Sequence, residues 1–308
     1  MLKPIVMNVP QAKSVWASQS QAVKGQAKTS SSSLPTADKE NMDPSGRCSV
    51  SAISKRIKDP ISSHQEQIMS HLASTSRENT FLEDPFQVVP DLSRRMKRIL
   101  FNWLFEVQQK FALTNRTIFL TENLLIRHIV KSPIKKDTLQ LTGMACLLIA
   151  SKFEDIYPPE IEELSQLVGK KISRDEIVFQ EEVVLFENNF DLVFVSALDV
   201  AESLTHLLKL QCPRLKEFRN LILDLMLMSP NIGQYQPFQL AAYALSQASL
   251  ISSRLHLPGL SSYFSLDVKT QISAEIKQII ELVKVDQLTA LKAKYPDTYS
   301  SLERWMRD

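Results

Sequence analysis

The sequence predicts an all-α protein, and three observations carry that prediction. Glycine is scarce, six residues in 308. From about residue 60 onward, apolar residues recur at three- and four-residue spacings, the period of one helix face. The two-residue alternation of a half-buried strand is absent from the same stretch.

The elements follow in order. Residues 1–58 are rich in Ser, Lys, Gln and Pro, with almost no aromatic residues and no sustained period. Such a segment cannot bury enough apolar surface to offset the entropy of ordering it, so a disordered tail is expected. A short helix is expected near Ile61 to Leu72. The first strong helix should run from Ser93 to Leu113: Met96, Ile99, Leu100, Trp103, Leu104, Val107 and Phe111 make one stripe, and Phe101 and Phe105 add a second edge. A second helix should span Arg116 to Lys131, stopped by Ser132-Pro133. The third, Thr138 to Phe153, is apolar nearly all round and should therefore be central, enclosed by the others. A fourth should start at Pro158-Pro159, with Glu160, Glu162 and Glu163 at the positive end of its dipole. The fifth should start at Ser173, which forms a capping box with Glu176, and run to Asn188.

After "NNFDLVFV" the pattern begins again. "LQLTGMACLLIAS" from Leu139 and "FQLAAYALSQASL" from Phe238 stand 99 residues apart, and "EIVFQEEVV" from Glu176 and "EIKQIIELV" from Glu275 share that offset without a gap. Two helices matched at one offset suggest a duplicated five-helix unit. The expected organisation is a tail over 1–58, a helix and first unit over 59–192, and a second unit with a C-terminal helix, ending near Trp305, over 193–308.

Composition narrows the function. With 44% hydrophobic residues the chain can bury a sizeable core, and a formal net charge of +2 does not by itself imply nucleic acid. The three cysteines, Cys48, Cys146 and Cys212, are far apart, which argues against a disulfide framework or a zinc site and suits a reducing compartment. The N-terminus lacks the apolar run of a signal peptide. The longest apolar run, Met144 to Ala150, is far shorter than the roughly 20 residues of a membrane span. There is no phosphate-cradling glycine loop, HExxH or nucleophile elbow, and the five histidines are scattered, so no metal, cofactor or enzymatic activity is expected.

"MKRILFNWLFEV" at 96–107, "LQLTGMACLLIASKFEDIYPPEI" at 139–161 and "FQEEVVLFENNFDL" at 179–192 resemble the cyclin box, most closely that of mitotic A/B-type cyclins. The resemblance covers 94–192 throughout and 195–285 more weakly, and it implies two tandem five-helix boxes with flanking helices. It implies a regulatory subunit, not an enzyme, that activates a cyclin-dependent protein kinase and helps recruit substrates around G2/M, in nucleus and cytoplasm. By position, Lys152 and Glu181 match the family's kinase-contacting lysine and glutamate, and Phe153 and Ile156 would add apolar contact. Read on its own, the pair could equally bond to each other within the fold. Met96, Ile99, Leu100, Trp103 and Glu106 match the patch that docks basic-and-leucine motifs of substrates and inhibitors, although the same spacing would read as core in any helical protein.

The chain also departs from the family. Asn102 stands where many members carry an acid. Lys97 replaces an arginine, and Ile126 replaces that arginine's aspartate partner, so the buried ion pair should be absent and Lys97 should turn to solvent or to another partner. In the tail, Lys39-Glu40-Asn41 resembles the degron read by the ubiquitin ligase of mitotic exit. Ser132-Pro133-Ile134-Lys135 has the form that cyclin-dependent kinases phosphorylate, although a helix stop is its plainer reading. Two other classes stay open. A cyclin-fold transcription factor would need a basic face, which is not visible here. A cyclin-box scaffold would bind a kinase without activating it.

Overall fold

The computed structural model describes residues 85–168, 171–210, 212–253 and 265–307, together with 67, 70, 71, 74, 257 and 260. All belong to one unit formed by residues 41–308. Every regular element among the described residues is helical, as expected. The tail with Lys39-Glu40-Asn41 lies outside them. Of the helix expected near Ile61 to Leu72, Gln67, Ser70 and His71 are described, and each is helical.

α1 (Pro85–Val88) is a single turn that buries Phe86. α2 (Arg94–Phe111) begins one residue after Ser93, whose hydroxyl accepts the Met96 N–H at 3.3 Å. It stops where Ala112 turns left-handed, at φ 51°. α3 (Asn115–Lys131) and α4 (Leu139–Glu154) follow, and α4 is buried on nearly every side from Leu139 to Ser151, the central helix the composition predicts. Gly143 lets α2 cross close by: a Cβ there would stand 3.0 Å from Leu100 Cδ1. α5 (Ile161–Leu167) starts later than expected. Each proline drives the residue before it toward extended backbone, and the helix is instead capped by Glu160 and Glu163. α6 (Arg174–Glu187) carries the expected Ser173–Glu176 capping box.

The second set is α7 (Ala197–Leu207), α8 (Pro213–Leu227), a 3₁₀ turn at Ile232–Gln234, α9 (Pro237–Ser253) and α10 (Leu266–Val285). α9 repeats α4, buried almost all round, and α10 repeats α6, so the 99-residue offset is a structural repeat. The repeat's fourth helix would fall in 254–264, mostly outside the described residues. The single C-terminal helix expected after Asp286 is two pieces, α11 (Ala290–Lys294) and α12 (Pro296–Arg307). The break is at Tyr295, which precedes a proline and leaves the helical region at φ −132°, ψ 63°.

Polar groups tie this C-terminal segment to the first box. Arg95 and Arg98 both pair with Asp286, at 2.7 and 2.8 Å. Lys294 Nζ lies 2.8 Å from Asp224 Oδ2 on α8 and donates to Gln108 on α2 and Asn115 on α3, while the Tyr295 hydroxyl donates to the same Asp224 oxygen. One ammonium thus joins both boxes.

Of the two outcomes expected for Lys97, solvent or another partner, the second holds, and the expected absence of a buried pair is corrected. Lys97 is fully buried, with Nζ 3.4 Å from Glu122 Oε1 and within 6 Å of the Phe86 and Phe101 ring centres. Glu122 stands four residues before Ile126, one helical turn along the same face of α3, so the acid has moved by a turn and, one methylene longer than an aspartate, it meets the lysine there. Cys146 is free and buried, and burial pushes its thiol pKa far up, which leaves it unreactive.

Candidate functional site

Lys152 sits in the last turn of α4, where a cation suits the negative end of the helix dipole. The two acids that follow it have different roles. Asp155 accepts the Thr114 N–H at 2.8 Å and the Thr117 hydroxyl, so it caps the start of α3 and fixes the end of α4 against it. Glu154 is half-buried, and desolvation raises its pKa against the pull of Arg116.

With α4 pinned, Lys152 Nζ reaches Glu181 Oε1 on α6 at 2.6 Å. The sequence leaves open whether these two groups pair with each other, and they do. Lys152 remains exposed, whereas the Glu181 side chain is only 13% exposed. On α6 Glu181 lies between the buried Ile177 and Val184 and next to the half-buried Leu185. The pair is therefore not a loosely solvated surface bridge, because its acid end is set into apolar packing.

Apolar surface borders it. Phe153 is exposed, and Ile156 and Tyr157, in the loop after α4, are 87% and 86% exposed. Val178, Phe179 and Phe186 are exposed along α6, and so are Phe190 and Val193 just beyond it. Of the thirteen large apolar side chains exposed among the described residues, these eight fall within 153–157 or 178–193. Apolar exposure concentrated in this way is a common feature of interaction sites. Phe190 adds a second sign. It is bulky, yet it holds φ 55° next to Asn189 at φ 54°, with its N–H bonded to Leu185 O and its ring edge-on to Phe186 at 5.3 Å. A left-handed aromatic residue is an outlier, and such strain concentrates at functional positions.

Sequence reasoning selected Lys152, Phe153, Ile156 and Glu181, and the structure brings them to one region. It missed Tyr157, Phe179, Phe186 and Phe190. α6 has apolar residues on two faces, and spacing alone does not reveal which face the rest of the fold leaves open.

The second set of residues lies on α2. Met96 and Ile99 are half-buried, Leu100 and Trp103 are buried, and Glu106 is exposed. The strip is thus largely closed, with an open edge at Met96 and Ile99. Desolvation raises the Glu106 pKa, while the hydrogen bond from Asn102 at 2.8 Å opposes the rise. Asn102 is itself buried and accepts the Ala290 N–H at 3.0 Å, so it serves the C-terminal segment instead of facing a ligand. Among the described residues no group of three or more His, Cys, Asp or Glu could hold a metal ion, and no helix is long and apolar enough to cross a membrane.

Comparison with known proteins agrees with this geometry. Residues 67–193 match the cyclin N-terminal domain. Among curated proteins, Cyclin-A1-2 of Oryza sativa subsp. japonica is 28% identical over 214 residues, 67% of this chain and 45% of that protein. Cyclin-B2-2 of Arabidopsis thaliana is 30% identical over 158 residues, 51% and 37% of the two chains. Cyclin-A2 of Xenopus laevis is 37% identical over 106 residues, 34% and 26%. The matched stretch therefore spans less than half of each of these relatives. A solved viral cyclin from herpesvirus saimiri superposes with a TM-score of 0.61 at 24% identity, over 70% of this chain and 96% of the viral one, and at that identity the likeness speaks for the fold.

Proposed function

We propose that the chain is a cyclin, with similarity to A- and B-type members, and that it binds and activates a cyclin-dependent protein kinase as its regulatory subunit in the G2/M part of the cell cycle. The observation that carries the reading is the concentration of exposed apolar side chains on and beside α4 and α6, around a Lys152 and a Glu181 that bond to each other in the unbound chain. Charged anchors bordered by apolar surface suit a protein partner. Cyclins are regulatory subunits rather than enzymes, so family and fold fit a non-enzymatic role.

The mechanism is a population shift. A kinase alternates between arrangements of its regulatory helix, and a partner that binds one of them better shifts the population by that difference in affinity. Packing against the α4–α6 surface would hold the regulatory helix inward. That completes the kinase's lysine–glutamate pair and frees its activation loop. The α2 strip would recruit substrates or inhibitors carrying basic-and-leucine motifs, with Met96 and Ile99 meeting the leucine and Glu106 the basic group. The test mixes the full chain with a mitotic cyclin-dependent kinase and follows co-elution and histone phosphorylation together. A stoichiometric complex with strong activation is expected. A complex without activation would favour a scaffold, and failure to bind any of a panel of cyclin-dependent kinases would overturn the proposal.

The proposal includes turnover through the tail. Replacing Lys39, Glu40 and Asn41 with alanine should at least double the protein's half-life as cells leave mitosis, followed by a chase after synthesis is blocked. An unaltered half-life would remove the ubiquitin ligase of mitotic exit from the partners.

A further inference from the structure

The chain holds two Ser-Pro pairs and no Thr-Pro pair. Both pairs stand at the ends of matching helices, Ser132-Pro133 after α3 and Ser229-Pro230 after α8. Each serine hydroxyl donates to a glutamate on the last helix of its own repeat. Ser132 Oγ reaches Glu187 Oε1 on α6 at 2.6 Å, and Ser229 Oγ reaches Glu275 Oε2 on α10 at 2.7 Å. The shared part of this device is structural: a proline that ends one helix, and a hydroxyl that ties the end to another.

The two copies differ in everything else. Ser229 is fully buried, and Glu275 is also bonded by Asn231 and Tyr235. The residue three positions after Ser229 is the buried Ile232. Ser132 is half-buried in extended backbone, at φ −132° and ψ 92°, and it opens a loop in which Pro133, Lys135, Lys136, Asp137 and Thr138 are exposed. Its third following residue is Lys135. A helix stop accounts for both serines, but not for an accessible Ser-Pro-x-Lys at one of them.

We infer that Ser132 is an acceptor for a proline-directed protein kinase, and that its phosphate releases the end of α3 from the end of α6. In the transfer, Ser132 Oγ bonds to the terminal phosphorus of a nucleoside triphosphate, the bond to the bridging oxygen breaks to release the diphosphate, and the hydroxyl proton passes to a base of the kinase. A phosphate has acceptors where the hydroxyl had its donor, so the bond to Glu187 becomes a repulsion between anions. The other oxygen of Glu187 lies 2.5 Å from His128 Nδ1. Burial lowers the pKa of that ring although Glu187 opposes the shift, so it offsets added negative charge less than a permanent cation would. Lys131, Lys135 and Lys136, next to the serine, would receive the phosphate, and Lys131 now donates to the Glu187 carbonyl.

The experiment treats the full chain with a cyclin-dependent kinase and ATP, then maps phosphate by mass spectrometry and amide exchange over residues 184–190. Phosphate is expected at Ser132 and not at Ser229, with Pro133→Ala and Lys135→Ala each slowing its incorporation by about tenfold. Exchange over 184–190 should be about tenfold faster in the phosphorylated chain, while Ser132→Ala, with unchanged helicity, shows no such response to kinase. Absence of phosphate at Ser132 in the folded chain, or equal labelling of Ser229, would overturn the site. Phosphate at Ser132 with unchanged exchange would overturn the release.

Discussion

Replacing Lys152 and Glu181 together with alanine should abolish stable kinase binding while leaving the helical content intact. Truncating a central interface anchor costs about 2–4 kcal/mol, roughly 30- to 1,000-fold in Kd. Removing both partners together costs little in folding, because no uncompensated charge is left in the packing. Binding and stability should therefore separate, and calorimetric titration alongside circular dichroism reads both. Binding within about threefold of the wild-type chain would sink the assigned surface. Each single substitution is informative as well. Lys152→Ala leaves the largely buried Glu181 without its cation, so it should lose more than Glu181→Ala, which leaves a lysine already in water.

The largest loss of stability should come from Asp224→Ala. Asp224 is 1% exposed, takes the Lys294 ammonium and the Tyr295 hydroxyl, and joins the C-terminal segment to the second box while the same lysine grips the first. Removing one partner of a buried pair costs about 3–5 kcal/mol, because the other charge is left uncompensated. In a chain of this size each kcal/mol moves Tm by about 2–4 °C, so a fall of roughly 10 °C is expected in a thermal melt. Replacing both partners with apolar residues, Asp224→Leu with Lys294→Met, should recover part of it, since no unpaired charge remains while the Tyr295 hydroxyl and the Gln108 side-chain carbonyl lose a partner. A melt unchanged by Asp224→Ala would mean that the contact does not hold the segment in place.

Much of this architecture is legible in the sequence. A helix apolar on every side has to be central, and α4 is. Ser173 and Glu176 at capping-box spacing mark the start of α6 because two backbone donors and two side-chain acceptors meet only in that geometry. The repeat shows because α9 and α10 solve the burial problem that α4 and α6 solve. What stays hidden depends on the third dimension. The partner of Lys97 is Glu122, a turn away from the aligned position, and positional matching does not follow a long side chain. Asn102 looks like a missing docking charge, yet it is spoken for by Ala290, 188 residues along the chain. Tyr295-Pro296 was open to a local reading, since a residue before proline leaves the helical region, but the amphipathic pattern runs through it and masks the break. The aromatic side chains of α6 look like core because nothing in the spacing says which side of that helix is exposed.

Gly143 and Lys152 lie nine residues apart on α4, about 13 Å along its axis. The first is the point on which Leu100 of α2 rests, and the second is the charged residue of the proposed partner surface. A helix packed on nearly every side resists bending, so α4 acts as a ruler between them. A peptide held on α2 and a kinase held at Lys152 would be set at a fixed separation, and the distance from a docking motif to the residue to be modified would be measured by this one helix.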